Sequence, residues 1–251
     1  MAAPNVDIAL VVDTSDSMRH CFDQLRLHLG SLLKPMQGSV GKVRYGLVGA
    51  SASKTSGGTV NRVTFLCGDW TKVSKLYGRD RDDAGLRDEF FTDKPEEFQA
   101  ALSRLVPSGD EDMLLALDIA SDLPFGPVAT TKRVIALFSD EPFEAGVSGS
   151  DSNQHIPALR KKLMARRVQL FAAIPEGEGA YELSQTSRTH VEFFEGGGGL
   201  QSVDFSQLLM QMGKSISASS IQSTEEPPLQ GALFGQDRWV PDNSWSNADG
   251  G

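Results

Sequence analysis

The sequence has little cysteine. Its two thiols, Cys21 and Cys67 in 251 residues, make no metal-ligand spacing and no disulfide framework. A reducing compartment is the simpler setting. Long apolar runs are missing too: nothing approaches the roughly 20 residues that span a bilayer. The first apolar run, Val6–Val12, is too short for a secretory signal, has no basic flank and ends in Asp13. The expected location is therefore cytoplasmic, with no membrane partner. Basic residues are in the minority, 24 Lys and Arg against 33 Asp and Glu, for a net charge of −9. That balance argues against a nucleic acid as the main partner and is compatible with holding a cation.

Short apolar runs read as buried strands: Val6–Val12, Val43–Ala50, Val63–Cys67, Val134–Phe138, Val168–Ile174 and Val191–Phe194. Helical patterns lie between most of them. Met18, Phe22, Leu25, Leu29 and Leu32 recur at spacings of three and four. Phe98, Leu102 and Leu105 do so after Lys94-Pro95, with Glu96 and Glu97 in the first turn. Leu114, Leu117 and Ala120 form a third such set; Ile156, Leu159 and Leu163 a fourth; Phe205, Leu208, Leu209, Met212 and Ile216 a fifth. Alternating strand and helix implies an α/β sheet covered on both faces. The charged stretch Gly68–Phe90 reads as a long loop over the sheet edge. Gly196–Gly199 reads as a flexible turn, because no Lys and Ser/Thr follow at phosphate-loop spacing.

The main domain is expected over residues 1–220. Residues 221–251 change character: from Ser223 on there are three prolines, four glycines and five acidic residues against Arg238 alone. This reads as an acidic tail, flexible by itself or docking to a partner. It nevertheless carries Leu233, Phe234, Trp239 and Trp245 as apolar anchors. Packing on its own domain is the plainer alternative.

The most informative run is Asp13-Thr14-Ser15-Asp16-Ser17, between a buried strand and a helix. Ligand sites in open α/β sheets lie beyond the carboxyl ends of the strands. One carboxylate and two hydroxyls at alternate positions are hard oxygen donors that suit Mg²⁺, Mn²⁺ or Ca²⁺. Taken alone, the run is equally an ordinary helix cap. Two further clusters shift the balance. The strand Val134–Phe138 ends in Ser139-Asp140-Glu141, and Gly109-Asp110-Glu111-Asp112 precedes a helix.

Together these elements resemble the von Willebrand factor type A (vWA) family and its metal-ion-dependent adhesion site, over roughly residues 5–218. The resemblance rests on Asp13, Ser15 and Ser17 as D-x-S-x-S, and on Ser139-Asp140-Glu141 in place of the family's Thr-Asp-Gly. It implies a Rossmann-like, doubly wound, mostly parallel six-stranded sheet of order 3-2-1-4-5-6 with strand 3 antiparallel. It also implies a divalent cation, Mg²⁺ first, held by Asp13, Ser15, Ser17, Glu111 and Asp140. Glu111 stands where most members carry a Thr, as in a subset that includes integrin β-subunit I-like domains; Asp110 is the alternative. A Thr leaves the ion more electrophilic, whereas a Glu neutralises more of its charge.

The implied function is that of an adaptor. The ion accepts an Asp or Glu from a protein partner, with an AAA+ ATPase, kinase or phosphatase in a bacterial stress or conflict system as the implied context. A structural subunit with a non-functional metal site is the alternative, in which the ion is absent and the tail does the binding. A phosphohydrolase of haloacid-dehalogenase type is less well supported, because Ser15 stands where the second Asp is needed. None of His20, His28, His155 and His190 lies in a catalytic run, so the expectation is a protein that is not an enzyme.

Overall fold

A computed structural model of the chain describes residues 3–36, 38–55, 58–67, 84–144, 152–186, 188–195, 200, 203–219, 233 and 239–241. The first strand, β1 (Asn5–Asp13), is buried along nearly its whole length. It lies between β2 (Val43–Thr55) and β4 (Thr131–Phe138), parallel to both. Then come β5 (Val168–Pro175) and β6 (Thr189–Phe194) on the β4 side. On the other side β3 (Gly58–Phe65) runs antiparallel to β2. The sheet order β6-β5-β4-β1-β2-β3 is the implied one, with a seventh strand, β7 (Trp239–Pro241), added parallel to β3.

Side chains alternate between the two faces of each strand. Val6, Ile8, Leu10 and Val12 face one layer, built from α1 (Arg19–Leu33), α3 (Pro95–Arg104) and α7 (Phe205–Ala218). Ala9 and Val11 face the other layer, which holds α2 (Ala84–Phe90), α4 (Met113–Ser121), α5 (Ser152–Ala165) and α6 (Glu178–Ser184). Helix starts follow local chemistry. Pro95 opens α3 with Glu96 and Glu97 in its first turn. The side chains of Asp112 and Asp204 accept from the Leu115 and Gln207 N–H groups and so cap α4 and α7.

The sequence reading differs from the structure at several points. Ala84–Phe90 is a helix, not loop, and residues 68–83 lie outside the described residues, as do Gly196–Gly199. β3 begins at Gly58, five residues before the expected Val63. Its polar first half forms a ribbon with β2, whose second half, Ser51–Thr55, is equally polar. β4 begins at Thr131, because Lys132 and Arg133 are buried with their charged ends satisfied. Lys132 Nζ donates to Ile216 O at 2.7 Å, and Arg133 donates to the carbonyls of Gly126 and Arg166.

Candidate metal centre

The chain leaves β1 toward β2 on one side of the sheet, and β4, its neighbour on the other side, leads on to β5. Loops at the carboxyl ends of β1 and β4 therefore diverge and leave a crevice between them. Asp13 and Asp140 flank it. Thr14 fixes the floor: its N–H donates to Ala50 O and its carbonyl accepts from Ser108 N–H, both at 2.8 Å. Gly49 lets Thr14 lie this close, since a Cβ there would stand 3.0 Å from Thr14 Cγ2 and Leu105 Cδ2. Gly109 takes φ +74, a left-handed conformation that glycine adopts without penalty, and its carbonyl accepts from Asp16 N–H.

Side-chain oxygens then link into a chain. Ser15 N–H donates to Asp13 Oδ1 at 2.7 Å. Ser15 Oγ and Ser17 Oγ are 3.0 Å apart, and Ser17 Oγ donates to Asp140 Oδ1 at 3.0 Å. Ser139 Oγ donates to Asp13 Oδ2 at 2.8 Å and accepts from Glu141 N–H. Asp13, Ser15, Ser139 and Asp140 are buried, while Ser17 is exposed. The site thus has a buried floor and an open mouth.

The three acids before α4 separate by role. Asp112 is the helix cap and also accepts from Asn61 Nδ2 at 3.0 Å. Asp110 is exposed, its backbone paired in both directions with Ala52. Glu111 is half-buried between them. Burial, and next the charge of Asp13, push its carboxyl up to about 7, with Glu141 and Asp110 adding to the rise. Burial also raises Asp13 to about 6 against the lowering hydrogen bonds from Ser15 and Ser139, with Asp140 contributing. Burial and Asp140 raise Glu141. Burial, then Asp140 and Asp13, push the Cys21 thiol up to about 12. Asp140 thus acts on Asp13 and Glu141, and those two in turn act on Glu111.

Among the described residues no group of three or more His, Cys, Asp or Glu is placed to hold a metal by those types alone. Any ion here depends on the two hydroxyls. The donor set, two hydroxyls with carboxylates that repel one another, fits a hard divalent cation and not a soft one. Ser139 and Glu141 gained no role of their own from the sequence. The only signal for Ser139 was its place before Asp140, at the position of the family's Thr.

No protein-family model matches the sequence, and no curated protein matches it. Solved structures do. Proximal thread matrix protein 1 from the mussel byssus superposes with a TM-score of 0.52 at 14% identity, over 86% of this chain and 47% of that one. The pilus adhesin SpaC from Lactobacillus rhamnosus GG gives 0.52 at 12% identity, over 86% and 31%. A von Willebrand factor type A structure from Catenulispora acidiphila gives 0.49 at 15% identity, over 85% and 43%. The chain has a vWA-like fold. It spans less than half the length of these solved structures. Among the described residues of the vWA-like domain, no helix is long and apolar enough to cross a membrane.

Proposed function

We propose that this vWA-like domain is a divalent-cation-dependent protein-binding module that captures an acidic side chain of a partner. The observation that carries the reading is the oxygen chain Ser15–Ser17–Asp140, closed on Asp13 through Ser139, at the carboxyl edge of β1 and β4. Asp13, Ser15, Ser17, Glu111 and Asp140 would hold the ion, partly through water, with Mg²⁺ the first choice and Mn²⁺ or Ca²⁺ alternatives. A bound cation supplies an electrophilic position for a carboxylate. The residues do the rest. Ser139 and Ser15 N–H hold both oxygens of Asp13 in place, and the exposed Ser17 leaves the mouth open. Glu111 offsets part of the ion's charge, which makes the site more guarded than one with Thr there. That vWA-like folds often mediate protein–protein contacts supports this reading over catalysis. So do the names of two matching structures, an adhesin and a matrix protein.

A cytoplasmic bacterial adaptor, working with an AAA+ ATPase, kinase or phosphatase, is the context we propose. One observation favours a second reading, a structural subunit without an ion. Ser15, Ser17, Ser139 and the two Asp carboxylates already satisfy one another by hydrogen bonds. Affinity purification of the tagged protein, with MgCl₂ and with EDTA, separates the two. An ion-dependent adaptor loses a defined partner in EDTA and in the Asp13→Ala protein. Partners retained in both conditions support the structural subunit.

A further inference from the structure

Among the described residues, the tail meets the domain at Leu233 and at Trp239–Pro241, and both contacts lead to the element that carries Glu111. Leu233 packs against the α4–α5 side of the core, and its N–H donates to Asp118 Oδ2 at 2.7 Å. Asp118 lies on α4 and is fully buried; Lys162 of α5 holds its other oxygen, Oδ1, at 2.5 Å. The second contact is β7, which pairs Trp239 with Asn61, Val240 with Arg62 and Pro241 with Val63. Asn61 is 5% exposed, and its amide donates to Asp112, the cap of α4. Ala52, paired with Asn61 across the β2–β3 ribbon, is bonded in both directions to Asp110. Glu111 sits between Asp110 and Asp112. Asp118 is six residues past the cap, about 9 Å along a stiff helix. Leu233 therefore touches α4 along its body, and Trp239–Pro241 reach its start through β3.

We propose that Leu233 and Trp239–Pro241 form a positioning strap, which sets the loop carrying Glu111 and so couples tail docking to ion binding at Asp13. The inference rests on the ion-binding reading above. The strap supplies no ligand itself. β2 runs toward the Asp13 edge, β3 runs back from it, and β7 follows β3 away from that edge. It acts through the frame: the β7 backbone fixes β3, Asn61 fixes Asp112, and Leu233 fixes the helix behind it. Coupling between sites is reciprocal. If the docked tail favours ion binding, a bound ion must tighten the tail by the same factor.

The test uses the full chain. Amide hydrogen exchange is followed with and without saturating MgCl₂, in the wild type and in Asp13→Ala, while calorimetry follows Mn²⁺ binding in parallel. The expected result is slower exchange at Leu233, at Trp239–Val240 and at Asn61–Val63 when the ion is added, and no such change in Asp13→Ala. Leu233→Pro, which removes the N–H that Asp118 accepts, is expected to weaken Mn²⁺ binding by about 2- to 30-fold, the range of such couplings. Ion binding with unchanged exchange at those positions overturns the strap and leaves the ion site standing. A Leu233→Pro protein that loses stability but keeps its Mn²⁺ affinity does the same. Absence of ion binding in the wild type overturns both readings, and the exchange experiment needs no variant that might misfold.

Discussion

Ser139 Oγ donates to Asp13 Oδ2 at 2.8 Å and so ties the end of β4 to the end of β1. Ser15 N–H holds the other oxygen of the same carboxylate. Asp13 is therefore oriented from both sides before any ligand arrives. Residues that orient a ligand from behind typically cost 10–100-fold in metal affinity when removed. Ser139→Ala is expected to weaken Mn²⁺ binding by about that factor while the fold is kept. Calorimetry with circular dichroism checks both halves.

The acids near Asp13 make stability depend on pH in a definite direction. Asp13 and Glu111 are raised in the folded state, to about 6 and about 7. Between their unfolded and folded values the native state binds more protons than the unfolded one. Stability of the ion-free protein then falls as pH rises from about 4 to about 7. A cation competes with those protons, so stabilisation by MgCl₂ is expected to be small at about pH 5 and larger at about pH 8. Thermal unfolding in EDTA and in MgCl₂ at the two pH values measures the difference.

Lys162 is fully buried between Asp118 at 2.5 Å and Asp122 at 2.7 Å. Removing one partner of a buried ion pair strands the other charge, at a cost of about 3–5 kcal/mol. Lys162→Met is expected to lose stability on that scale in urea unfolding, and more than Lys94→Met, whose exposed pair with Glu97 contributes little.

Asp112 illustrates a cap beside a site. Asp112→Ala removes acceptors for Leu115 N–H and Asn61 Nδ2. The expected loss is about 1–2 kcal/mol of stability, with weaker ion binding because Glu111 precedes the cap directly. Urea unfolding and Mn²⁺ titration report the two effects separately.

Much of the fold was legible because its buried strands are apolar and its helices periodic. Val6–Val12, Val134–Phe138 and Val168–Ile174 announce buried strands, while their order in the sheet came from the family resemblance alone. Elements whose order comes from tertiary contacts were not legible. The ribbon Ser51–Thr55 with Gly58–Asn61 has only Ala52 and Val60 as apolar residues, too few for a strand pattern, although it holds the Asp110 loop. Lys132 and Arg133 look like loop residues until Ile216 O and Gly126 O satisfy them. β7 is three residues long and exists only as a partner of β3. At the site, Asp13, Ser15, Ser17 and Asp140 were readable from strand ends and spacing. Ser139 and Asn61 were not, because both act by reaching another carboxylate across the fold.

The central claim is that Asp13 anchors a divalent cation. Calorimetric titration of the full chain with MnCl₂, wild type beside Asp13→Ala, tests it most directly. The account predicts saturable, EDTA-reversible binding of one ion by the wild type and none by Asp13→Ala. Equal binding by the two proteins, or none by the wild type, contradicts it.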